Sequence, residues 1–283
     1  MFKDLGNQLL SLVNTNIQEE SKDWLLQKLE KIKSEKSTRE LYITYSLCAS
    51  KIPKSELVEI SALTEELKDY LRRHSATKLE ISRLFLLHSV LSCDADFVLP
   101  VQNLIQVADK EELETFLKYL SLLPNPDNFK FAAVEALRTN IATVFDAISK
   151  ENPYPARYFN DQQWNQMYLK AAFMQRDLST INNVEERANK ELARIISDYA
   201  HERWAASRDI DPMFWRPVSN FVEGQLEKDV LRLFESDNLV ENRAAALVCH
   251  HSEISAAKEI LSRYPDLKHQ VEQGKFNWET LKN

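Results

Sequence analysis

Apolar residues recur at spacings of three and four along nearly the whole chain, the period of a helix with one buried face. Phe2, Leu5, Leu9, Leu10, Leu12 and Val13 open the series. Ser21 is placed to cap a second helix, which turns Trp24, Leu25, Leu29 and Ile32 inward and a Lys- and Glu-rich face to water. Thr38 and Glu40 open a third through Leu41, Tyr42, Tyr45 and Leu47. It must stop near Lys51, because Pro53 restricts Ile52 to extended backbone. From Ser55 the stripe Leu57, Ile60, Leu63, Leu67, Tyr70 and Leu71 predicts one long helix. Thr77 starts another through Ile81, Leu84, Phe85, His88 and Leu91. Helices follow over 99–108, with Pro100 in the first turn, and over 111–122. Helix pairs are expected at 131–137 with 141–148, both starting on apolar residues (Phe131, Ile141), and at 242–248 with 254–261. Phe276 and Trp278 of the tail then dock back.

The fold class that follows is all-α, either an α-solenoid of HEAT-like helix pairs or an irregular helical bundle. A helical region over 1–150 and a block over 151–283 are expected to form one continuous helical domain. Glycine supports this: there are only 3, and hairpins, dinucleotide folds and phosphate loops all depend on it. No cofactor fingerprint is present, and no cofactor is expected. The net charge of −7 argues against a nucleic-acid partner, an RNA-binding helical repeat included. Cys48, Cys93 and Cys249 form no CxxC pair, so neither a zinc site nor a disulfide framework is predicted, and a reducing compartment is. His88 and Cys93 supply too few ligands for a metal, and His88 is expected in the core. No signal-like or membrane-spanning run occurs, so a cytoplasmic protein with no direct membrane insertion is expected.

The chemistry concentrates in residues 152–217. Pro153 and Pro155 bracket Tyr154 in what should be a rigid, extended lead-in. Asn160 with Gln163 is a capping-box pair opening a helix. Trp164, Met167, Tyr168 and Ala171 on one side, with Leu169, Ala172 and Phe173 beside them, give an apolar arc too wide for a surface helix. Asn165, Gln166 and Lys170 on that helix need hydrogen-bond partners. A long helix over 186–207 follows. In it Asp198 and His201 lie at i, i+3, where the carboxylate would orient the imidazole for acid–base work. Glu202 would pair with Arg203 or Arg208. HExxH is not met, because Ala205 stands where the second histidine would be. Asp211 and Pro212 start a further helix. Tyr154, Tyr158, Trp164, Trp204 and Trp215 would then line an aromatic cleft with Lys170, Arg203 and Arg216 as anion clamps, unless they are inter-helix core and salt bridges.

At these residues the chain resembles the EboA-domain family of bacterial proteins. The resemblance rests on NPYPARYF (152–159), WNQMYLKAAF (164–173), RANKELAR (187–194), YAHERWAASR (199–208) and FWRPVSNF (214–221). It implies a place in a small gene cluster tied to secondary-metabolite production or export. Its companions there would be a prenyltransferase-like membrane protein and sugar-phosphate or metal-hydrolase-like enzymes. It implies no reaction. Two functions stay open. One is a non-catalytic scaffold or adaptor whose partners are other proteins of the same metabolite pathway. The other is a small-molecule binder or enzyme acting on an aromatic, prenyl or phosphorylated intermediate, with His201 as acid/base and Asp198 orienting it.

Overall fold

The structure is a computed structural model that describes residues 4–60 and 63–281; Phe2, placed above on the first helical stripe, lies outside them. The chain is all-α and divides into two compact units, Met1–Tyr154 and Pro155–Asn283. The first holds α1 (Leu5–Asn16), α2 (Glu19–Glu35), α3 (Thr38–Lys51), α4 (Glu65–Arg73), α5 (Lys78–Cys93), α6 (Val98–Val107), α7 (Lys110–Tyr119), α8 (Lys130–Ala136) and α9 (Ala142–Ser149). The short α10 (Tyr154–Tyr158) leads into the second, which holds α11 (Asp161–Phe173), α12 (Lys190–Ala205), α13 (Gln225–Phe234), α14 (Leu239–His251), α15 (Ser255–Ser262) and α16 (Pro265–Glu272). A tight 3-10 segment, Pro212–Phe221, lies between α12 and α13.

Each unit is built around one central helix. In the first it is α5, whose Leu79, Ile81, Leu84, Phe85, Leu86, Leu87 and Val90 point every way round the axis and are all buried. Helices α1, α2, α3 and α7 surround it. In the second it is α14, buried continuously from Ala244 to Cys249 and enclosed by α13, α15, α16 and the 212–221 segment. A helix apolar all round must be wrapped to be stable in water. Wrapping of one helix by four neighbours describes a bundle. In a solenoid each repeat touches only the one before and after it.

Several sequence expectations change. Leu57, Ile60 and Leu63 of the stripe are not helical, and α4 starts only at Glu65, after Thr64. The backbone of the preceding segment is satisfied from elsewhere. Val58 N–H donates to the Ala76 carbonyl (3.0 Å) and Lys78 N–H to that of Glu56 (2.8 Å). The Asn16 carboxamide bonds the Glu59 carbonyl (3.1 Å) and N–H (2.6 Å). Leu57, set in this extended pairing, is exposed. Helix α2 begins before Ser21, whose hydroxyl donates to the Lys51 carbonyl instead of capping. The two prolines do not hold Tyr154 extended, because α10 starts there: Pro155 sits in a first turn, where its missing N–H costs nothing, and the Asn152 carboxamide accepts from Tyr154 N–H (2.9 Å). Asn189 caps α12, so 186–189 lie outside it. Phe276 and Trp278 are buried, as the tail pattern suggests.

Scarce glycine did not remove left-handed backbone. Lys36, Ser75, Gln175 and Ser207 adopt φ near 50° just past helix ends. At Ser75, for example, the next N–H, of Ala76, reaches back to the Leu71 carbonyl (3.0 Å). These are helix stops of the kind glycine usually supplies.

Candidate functional site

The aromatic residues of 152–217 do not line one cleft. Tyr154 is fully buried in the first unit, with its hydroxyl donating to the Pro126 carbonyl (3.1 Å). Trp164 and Trp215 are core residues of the second. The Arg187 guanidinium covers Trp164 at 5.0 Å. Tyr168, whose pKa burial raises, donates to the Met213 carbonyl (3.0 Å) and stacks on Phe214 at 5.7 Å. Trp204, half-buried, stacks on Trp215 at 5.8 Å, meets His201 edge-on at 5.3 Å and carries Arg232 4.2 Å from its ring centroid. These rings tie α11, α12, α13 and the 212–221 segment together.

The polar residues sort differently. Asn165 and Asn189 exchange amide bonds of 3.1 and 2.9 Å, so the amide that had to find a partner meets the capping residue of α12. Arg216 makes a two-pronged pair with Glu185 (2.5 and 2.9 Å), and Arg203 grips the Asp209 carbonyl through Nε and Nη2 (3.1 and 2.7 Å). Burial lowers the pKa of Lys170. Gln166 and Glu202 are exposed.

His201 is not oriented by Asp198. Asp198 is exposed and held by Arg194. The carboxylate that meets His201 Nε2 is Asp229 of α13, at 2.8 Å. Asp229 is 2% exposed and also accepts from Ser197 Oγ (2.6 Å) and Gln225 Nε2 (3.0 Å). The serine bonds the carboxylate and not the imidazole, so no nucleophile–base pair forms. The cluster pins α12 to α13 through a satisfied buried charge. Its sequence signal is an acid on the buried stripe Leu226, Val230, Leu233 of α13.

Besides a hollow of about 790 Å³ between α12 and residues 220–226, two more are open to ligands. One lies in the first unit, a groove of about 610 Å³ floored by Ile105, Phe129, Ala136 and Val144 and rimmed by Leu99, Phe131 and Ile141. Those rim residues are 62%, 69% and 49% exposed. Phe131 and Ile141, which marked the expected helix pair in the sequence, stand outside. Four uncharged amides, Gln102, Asn103, Gln106 and Asn128, supply most of its polar lining. The other, about 680 Å³, lies in the second unit between the ends of α11 and α12 and residues 209–214. Among the described residues no group of three His, Cys, Asp or Glu side chains is placed to hold a metal, and no helix is long and apolar enough to cross a membrane.

A family model described as metabolite traffic protein EboA matches residues 5–219. The chain belongs to the EboA family. No curated protein and no solved structure matches it. The family match contains the whole first-unit groove, and all of the second-unit hollow except Asn238. An EboA-family role is therefore tied to metabolites, and its description names movement of a compound and no reaction.

Proposed function

We propose that this EboA-family chain reversibly binds a small, largely apolar metabolite in the first-unit groove and passes it on unchanged. The observation that carries this is the convergence of three exposed large apolar side chains, Leu99, Phe131 and Ile141, on one groove of ligand size. A domain ordinarily buries such residues. Covering one completely is worth about 1.5–3 kcal/mol, and these three are already partly covered, so they contribute on the order of 4 kcal/mol together. Binding of that strength, helped by the rim amides, is readily reversed, as carriage requires.

The lining also argues against chemistry. Its amides do not titrate. Its two charged residues are engaged by neighbours, Lys110 with Glu114 (3.6 Å) and Glu135 with Arg138 (2.7 Å). No acid–base pair faces the groove to move a proton. Other proteins of the metabolite pathway would deliver and receive the ligand.

The test is a fluorescence titration with N-phenyl-1-naphthylamine, a neutral apolar reporter, followed by displacement with farnesol and indole. Saturable binding is expected, weakened about tenfold or more by Phe131→Asp and untouched by His201→Ala. No binding by wild type, or equal binding by the Phe131 variant, overturns the reading. The scaffold or adaptor role suggested by the sequence then becomes the leading alternative, with the same exposed residues as a protein contact.

A further inference from the structure

The hollow of the second unit has a different chemistry from the groove. Helices α11 and α12 both stop beside it through a left-handed residue, Gln175 (φ 54°) and Ser207 (φ 52°). In each case the next N–H reaches back to a carbonyl of the last turn, Arg176 to Ala171 (2.8 Å) and Arg208 to Arg203 (2.9 Å). The same device thus delivers an arginine to the cleft from each helix. Residues 209–212 form another wall, bringing Asp209 to the same space. Phe173, 73% exposed, and Tyr199 add aromatic surface.

Two of the hollow's charges, on Arg208 and Asp209, do not cancel locally. Two other arginines of this unit take carboxylates, Arg194 those of Glu191 and Asp198, and Arg216 that of Glu185. Arg208 and Asp209 are neighbours in sequence and line the same hollow. Neither side chain makes an ion pair or a side-chain hydrogen bond with another described residue. Arg203 is held in place by its two bonds to the Asp209 carbonyl. Asp209 lines the same space, so a purely anionic ligand would meet its negative charge. Guanidinium and carboxylate side by side, with aromatic walls, suit a ligand that carries both signs.

We propose that this cleft binds a zwitterionic aromatic compound of the α-amino acid class. The Arg208 guanidinium, with Arg203 beside it, takes the carboxylate, which planar guanidinium geometry favours. Asp209 takes the ammonium, and the ring lies against Phe173 and Tyr199. The site is independent of the groove reading.

Calorimetric titration of the full chain with L-tryptophan, tryptamine and indole-3-propionate tests it, since the last two each lack one charge. Tryptophan is expected to bind about tenfold or more tightly than either analogue. Arg208→Gln should abolish the preference over tryptamine, and Asp209→Asn the preference over indole-3-propionate. Circular dichroism shows that the variants stay folded, and naphthylamine binding by both should persist. Phe131→Gln in the groove should leave tryptophan binding intact. Equal binding of all three probes overturns the proposal. So does an absence of tryptophan binding up to about 10 mM, or its loss in the Phe131 variant alone.

Discussion

Asn152, the first residue of the NPYP stretch, is a structural keystone of the first unit, and its removal should be costly in a specific way. Its side chain is 2% exposed. Nδ2 donates to the carbonyls of Leu117 in α7 and Ala147 in α9, both at 2.9 Å, and Oδ1 accepts from Tyr154 N–H at 2.9 Å. Asn152→Ala removes all three bonds. The Leu117 carbonyl keeps a second donor, the Leu120 N–H. The Ala147 carbonyl and the Tyr154 N–H lose the side-chain partner. At about 1–3 kcal/mol for each buried group left unpaired, the loss is roughly 3 kcal/mol. Asn152→Asp keeps the acceptor for Tyr154 but sets a carboxylate oxygen against two carbonyls. The buried acid then titrates above its unfolded value. Its folded state loses ground as the pH rises past about 4, where the unfolded chain ionises first. Urea unfolding followed by circular dichroism gives the midpoints. Hydrogen exchange over α7 and α9 shows that the first unit is what opens. A loss below about 1 kcal/mol in Asn152→Ala, or an Asp variant insensitive to pH, would refute the accounting.

Two further outcomes follow from the backbone and from titration. Ser75 holds φ 48°, and its side chain makes no hydrogen bond to another described residue. Left-handed backbone costs a side-chain-bearing residue about 1–2 kcal/mol, and glycine gives back about 0.5–1 in unfolded-chain entropy. Ser75→Gly should therefore stabilise by about 0.5 kcal/mol, read as a higher urea midpoint at unchanged slope; a lower midpoint contradicts it. Burial, and secondarily Lys118, pushes the His74 pKa down to about 4. Between roughly pH 6.5 and that value the unfolded chain binds the proton that the folded chain refuses, so stability falls as the pH falls. The cost is on the order of 2 kcal/mol by pH 4, and His74→Phe should lose less stability over that window than wild type.

What the sequence showed and what it hid divide by the range of the interaction. The Asn160–Gln163 capping box, the stop of α3 at Lys51 and the docking of Phe276 and Trp278 were readable. Cap chemistry and proline geometry act over a few residues, and a tail with two large apolar side chains has to bury them. The Leu57 stripe was misread because helical spacing is silent about backbone partners. Those of residues 56–59 come from Asn16 and residues 76–78, which no local pattern contains. His201 was given the wrong carboxylate for the same reason: Asp198 is near in sequence, while Asp229 arrives from the next helix. The groove left a local trace all the same. Phe129 ends a short 3-10 turn, Pro126–Phe129, and Phe131 lies in the first turn of α8, so the two do not share one helix face. The structure buries Phe129 and turns Phe131 to the rim of the groove. An aromatic pair split in this way beside an exposed Leu99 has to be paid for in lost burial, and a bound ligand is what would restore it.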